Sequence, residues 1–213
     1  MPDISARLYF LTPRIVDAAA FAPQLEAAMS TGAVACVLLS LGLSAGGDTK
    51  KAVRALAEIV QRHGAALLVE NDPQLALRAN ADGAHISDGG DALAQAVATL
   101  RPAKIAGAGA LKTKDAAMTA GEAGADYVMF GEPSHDGYVP PFAQTLERAR
   151  WWAEIFSVPC VAYAQTPEQA GALAEAKCEF IAIGGAVWSD ARGPAAAVDV
   201  LARAVSAHPL VEA

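Results

Sequence analysis

Short apolar runs that end in a small or polar residue alternate along the chain with longer Ala-rich stretches of helical period. The apolar runs fall at residues 7–12, 33–40, 65–71, 82–87, 104–110, 126–132, 159–164 and 180–185, which predicts eight strands. Helical periodicity lies between them, for example over 48–64 and 113–125, with Gly64 and Gly124 placed where a helix-ending glycine belongs. Runs that are apolar at nearly every position predict a sheet covered on both faces, and a strand-then-helix repeat predicts parallel pairing with right-handed crossovers. Eight such units close a ring. The fold class is therefore α/β, a compact (β/α)8 TIM barrel, a fold that takes ~250 residues with a floor near ~200, against 213 here. The competing open, doubly wound sheet prefers a Gly-rich turn after its first strand, and "LTPRIVDAAA" has none there. No linker, low-complexity tract or shift of composition divides residues 1–213, so one barrel domain is expected. The longest irregular stretch, 131–142, follows the sixth strand.

Composition narrows the partners. The chain is 54% hydrophobic, enough for a large core, and carries 16 basic against 23 acidic residues for a formal charge of −7. With no basic cluster beyond Lys50-Lys51, neither nucleic acid nor a membrane is an expected partner, which leaves a small solute. Cys36, Cys160 and Cys178 have no metal-ligand spacing and read as reduced core residues. The N-terminal "MPDISARLYFLTPR" lacks the basic-then-apolar pattern of a secretory leader, and no uncharged apolar run approaches the ~18 residues a bilayer requires, so a cytoplasmic location is expected. Trp151-Trp152 on the sixth helix suit the barrel's outside or a subunit contact, which leaves a homo-oligomer open.

Barrel chemistry sits at the C-terminal strand ends, so the residues just after each apolar run are the candidates. Asn71-Asp72 follow the third run, Ser87 and Asp88 the fourth, and Asp91 lies nearby. Carboxylates from two adjacent strand ends suit a shared Mg²⁺, a hard cation that takes carboxylate and phosphate oxygens. The competing role is capping: Asp72-Pro73 is a favourable helix start, and Asp88 or Asp91 can serve the fourth helix in the same way. Gly184-Gly185 after the eighth run let backbone N–H groups approach an oxyanion, or simply permit a tight turn. Gly107-Ala108-Gly109 lacks the third glycine of a dinucleotide fingerprint. His85 lies inside a strand and is expected to be packed, whereas His135 in the long loop can reach a ligand.

Taken together, "RLYFLT", "LLVENDPQLALRANADGAHIS", "GEAGADYVMFGE" and "FIAIGGAVW" resemble the thiamine phosphate synthase and thiazole tautomerase family over roughly residues 7–205. The resemblance implies a (β/α)8 barrel. It implies a synthase that joins hydroxymethylpyrimidine pyrophosphate to a thiazole phosphate, with Mg²⁺ assisting departure of pyrophosphate. It implies Asn71 at the pyrophosphate, Asp72 at the metal with Asp88 or Asp91 as second carboxylate, and Gly184 and Gly185 at the thiazole phosphate. Several family positions differ. Leu39 and Leu41 are read opposite the family's Arg and Lys after strand two, on one rim-facing side of the run, and Gly109 is read opposite its strand-five Ser. No lysine occurs between Lys114 and Lys177, Tyr163-Ala164-Gln165 replaces Ile-Gly-Gly, and "GAGALKTK" lacks the tautomerase His. These differences predict a barrel that binds a phosphorylated or heterocyclic small molecule of thiamine biosynthesis through Asn71, Ser87, Gly109, His135, Gly184 and Gly185, with little synthase turnover. The alternatives are a non-catalytic ligand-binding relative and an active synthase, which would draw its cations from Arg14, Arg148 or Lys112.

Overall fold

The computed structural model describes residues 5–42 and 49–210. Its strands are β1 (Arg7–Leu11), β2 (Val34–Leu39), β3 (Ala66–Glu70), β4 (Gly83–Ile86), β5 (Ile105–Ala108), β6 (Tyr127–Phe130), β7 (Cys160–Ala164) and β8 (Phe180–Ile183). All neighbours pair in parallel and β8 closes on β1, so the predicted eight-stranded barrel is the observed fold. The helices are α1 (Ala18–Met29), α2 (Thr49–Arg62), α3 (Pro73–Ala79), α4 (Gly90–Leu100), α5 (Lys114–Glu122), α6 (Phe142–Ile155), α7 (Pro167–Glu175), a single turn α8 (Gly185–Trp188) and α9 (Pro194–Ser206). Gly64 and Gly124 follow α2 and α5 at φ of 71° and 91°, the left-handed stop that a side chain resists. Asp48, the first residue of the predicted 48–64 helix, lies outside the described residues.

Two apolar layers hold the barrel. Tyr9, Leu38, Leu68, Met129, Val161 and Ala182 pack inside it, whereas Phe10, Leu39, Leu67, Val69, Ile181 and Ile183 pack between strands and helices. The alternation corrects the expectation for β2: Leu39, 1% exposed, belongs to the outer layer, and Leu41 packs against that same layer. The inward residues of β2 are Cys36 and Leu38. Because side chains alternate across a strand, a one-residue slip in reading exchanges the two faces.

The caps follow local chemistry. Asp72 accepts the Leu75 N–H at 2.7 Å and Pro73 starts α3, so the predicted cap is formed. Neither Asp88 nor Asp91 caps α4; Gly89 holds the N-cap position without a side-chain bond, and Asp91 sits in the first turn. Trp152 is buried between barrel and α6 with its Nε1–H on the Val158 carbonyl at 2.7 Å. The three cysteines are buried and unpaired. Among the described residues no helix is long and apolar enough to cross a membrane.

Candidate functional site at the barrel mouth

The C-terminal ends of β3 to β6 open into a cavity of about 390 Å³. Glu70 reaches it from the end of β3, Ser87 and Asp88 from the loop after β4, Lys112 from the loop before α5, Glu132 and His135 from the loop after β6, and Arg148 from α6. A larger depression, about 800 Å³, lies at the other end of the barrel beside Arg7, Asp199 and Arg203. It is remote from the strand ends that carry barrel chemistry.

Of the sequence-predicted residues, Ser87, Asp88 and His135 line the cavity. Asn71 does not. Held at φ 51°, it donates its N–H to the His85 carbonyl at 2.8 Å, and its Oδ1 accepts the Ser87 N–H at 2.7 Å, tying the ends of β3 and β4 together. Asp72 spends one carboxylate oxygen on the α3 cap beside this staple. Asp91 is exposed on α4, away from the cavity lining. Gly184 and Gly185 lie across the mouth: Gly184 precedes α8, with the Tyr163 hydroxyl 3.4 Å from where its Cβ would be, and Gly185 faces open space. Arg14 also stands apart, its Nε donating to the Leu41 carbonyl at 3.3 Å.

Behind the cavity a polar chain crosses the barrel. Tyr9 and Tyr127 share a hydroxyl hydrogen bond of 2.8 Å, and the Tyr127 hydroxyl meets His85 Nδ1 at 2.7 Å. The His85 ring stacks near-parallel on Tyr127, and the missing side chain of Gly107 makes room for that tyrosine. Burial lowers the His85 pKa to about 4 and raises both tyrosines well above their ordinary value, so the chain is neutral. His85 Nε2 is buried without a partner. Glu132 stands opposite: a Cβ on Gly109 would overlap both His85 Nε2 and Glu132 Oε1. Gly109 thus lets these two groups approach. The Ala110 N–H donates to the Glu132 carboxylate, yet desolvation outweighs this bond and pushes Glu132 up to about 7.

Among the described residues no three His, Cys, Asp or Glu side chains gather around a metal-sized point. The cavity does offer two carboxylates besides Glu132, Glu70 and Asp88, with Ser87 next to Asp88 on the loop after β4. An all-oxygen donor set of this kind, completed by ligand oxygens, suits Mg²⁺. Sequence reasoning missed Glu70 because it closes the β3 run just before the Asn71-Asp72 pair that drew attention, and Glu132 because it follows β6 as a lone acid with no partner at motif spacing. Lys112 and Arg148, lone residues on separate elements, stood only among alternative cations.

A family model described as thiamine monophosphate synthase matches residues 8–187, from β1 through most of α8. The chain belongs to that family. Its relatives include a thiamine-phosphate synthase of Rhodospirillum centenum, 39% identical over 194 residues that cover 90% of this chain and 94% of that protein. Another, from Hyphomonas neptunium, is 35% identical over 207 residues, 92% of each. Among solved structures, the thiamine phosphate pyrophosphorylase of Pyrococcus furiosus superposes with a TM-score of 0.76 at 21% identity, covering 96% of this chain and 98% of that one. A 3-hexulose-6-phosphate synthase reaches 0.74 at 18% identity, covering 92% and 99%. At those identities the two structures speak to the family's barrel alone.

Proposed function

We propose that this chain is a synthase that joins hydroxymethylpyrimidine pyrophosphate to a thiazole phosphate at the β3 to β6 side of the mouth. The observation that carries the reading is that Lys112 and Arg148 line the same cavity as Ser87 and Asp88. Departure of pyrophosphate breaks a C–O bond, leaves its electron pair on oxygen and makes a pyrimidine-methyl cation that the thiazole nitrogen attacks. Two cations facing the developing charge supply the electrostatic term such a step needs most. Lys112 acts as a point charge and Arg148 as a planar fork able to hold two phosphate oxygens. Asp88 and Glu70 are the residues that would hold Mg²⁺, which would offset phosphate charge when bound. Relatives named as synthases at 35 to 39% identity support the same reading.

The inner face of β2 favours a second reading, binding of a phosphorylated or heterocyclic compound without condensation, because Cys36 and Leu38 put no cation there. One assay separates the two. Purified protein is incubated with both precursors and Mg²⁺, and thiamine phosphate is measured. Turnover is expected, and Lys112→Met with Arg148→Met should slow it about 10³-fold, since each charge-assisted contact contributes ~2 to 3 kcal/mol. A folded wild-type protein that binds the precursors and forms no product would leave only the second reading.

A further inference from the structure

Glu132 is oddly placed for an anion site. The cavity wall sets three carboxyls, Glu70, Asp88 and Glu132, against two cations, Lys112 and Arg148, with His135 and Tyr138 the further titratable groups lining it from the loop and Asp136, on the same loop, interacting with Lys112. With Glu132 ionised, that wall opposes a phosphate-bearing ligand beside it. On its inner side Glu132 faces His85, and behind His85 stand Tyr127 and Tyr9, all neutral and buried. Among the described residues no cation comes from within the barrel to hold a Glu132 charge.

We propose that Glu132 binds the anionic ligand of this mouth as a neutral carboxylic acid whose O–H rests on His85 Nε2 while the cavity is free of anion, so that above neutrality anion binding takes up one proton from solvent. The unpartnered Nε2 supplies what such an acid needs while the cavity is free of anion, an acceptor for its O–H. When Glu132 is ionised, the other His85 tautomer presents Nε2–H to the carboxylate. The tyrosine hydroxyls allow both forms, since either oxygen of the Tyr9–Tyr127 bond can be the donor and Tyr127 can give to or accept from Nδ1. His85 stays neutral throughout. On anion arrival the acid's O–H turns to a phosphate oxygen and Nε2 regains its own hydrogen bond through the tautomer that suits it. The one proton consumed comes from solvent and forms the Glu132 O–H bond; the switch of the His85 tautomer breaks one ring N–H bond and forms the other, so the ring's own proton count is unchanged. A carboxyl pushed up to about 7 makes that uptake cheap near neutrality. Gly109 is the enabling position, because any side chain there would separate the pair.

The proposal rests on the reading of this cavity as the anion site, and its test does not require turnover. Inorganic sulfate is the probe, because it does not titrate near neutral pH, and its Kd is measured calorimetrically from about pH 6 to about pH 8.5. The wild type should weaken about tenfold per pH unit above neutrality, the slope of one obligatory proton. Glu132→Gln, whose amide donates without titrating, should bind at alkaline pH within about twofold of the wild type's best affinity. The pH-dependent binding should vanish in Lys112→Met with Arg148→Met. A flat wild-type profile, an unchanged slope in Glu132→Gln, no sulfate binding at the acid end, or a pH-dependent component that survives loss of both cations would each overturn it. Proton-coupled binding in a protein with no synthase turnover would sink the synthase reading alone.

Discussion

The two halves of the barrel mouth are built on opposite principles. From β3 to β6 the strand ends present carboxyls, cations and hydroxyls around a cavity, whereas among the described residues those from β7 round to β2 present mainly Tyr163, Leu11 and Leu38, with Gly184 and Gly185 between and Thr12 accepting the Ser40 N–H. The polar half stands on His85 and Tyr127 of a buried hydrogen-bonded chain that reaches across to Tyr9 of β1, and the apolar half otherwise stands on core side chains. A barrel separates these duties because its strands hold one rigid cylinder while each loop varies alone. Among the described residues the cavity's charged side chains therefore come from one side of the mouth.

The largest effect should come from forcing charge onto the apolar half. Leu39→Arg looks on paper like restoration of a family cation. Leu39 is buried among strands and helices, so the guanidinium would enter the outer core unpaired, at a cost of about 3 to 5 kcal/mol. Denaturant unfolding should register that loss with no gain in phosphate affinity. A stable variant that binds anions better would mean Leu39 faces the mouth.

Next in size is a contrast between glycines. Gly109→Ala drives a methyl into His85 and Glu132, a close approach that overpacking data value at about 1 to 3 kcal/mol, whereas Gly185→Ala enters open space and should stay within about 0.5 kcal/mol of wild type. Thermal unfolding of both variants gives the comparison directly. Equal melting temperatures would erase the claim that the polar half is the tightly fitted one.

The barrel was legible because its signal is redundant: eight apolar runs, helical intervals and glycine stops all point the same way. Asp72-Pro73 was legible as a cap for a similar reason, since residue type and position agree. Which side of β2 faces the mouth was not legible, because Val34–Leu39 is buried at every position and shows no alternation to phase it. Asn71 matched the motif, and its side chain serves as a staple to Ser87, a hydrogen bond that depends on strand register rather than sequence distance. The cavity's Lys112, Glu132 and Arg148 come from three segments whose meeting is fixed only by barrel closure. No spacing along the chain encodes that meeting.

The smallest expected effect concerns the polar half's own acid stability. His85 titrates near 4 in the folded state against an ordinary 6.5, so the unfolded chain binds more protons between those values and stability falls as pH drops through that window. Glu132 is displaced the other way, to about 7 from 4.5, so the folded chain binds more protons there and stability falls as pH rises from 4.5 to 7. Between pH 4.5 and 6.5 the two slopes oppose and largely cancel. Glu132→Gln removes one of them and leaves the other. Its stability should rise with pH across that window relative to wild type, by on the order of 1 kcal/mol once solvent at the cavity is allowed for. Denaturant midpoints at several pH values read the difference curve, to which groups unchanged between the two proteins contribute little. Parallel curves would mean that Glu132 titrates as an ordinary exposed acid, and the polar half would lose the buried proton that distinguishes it from the apolar one.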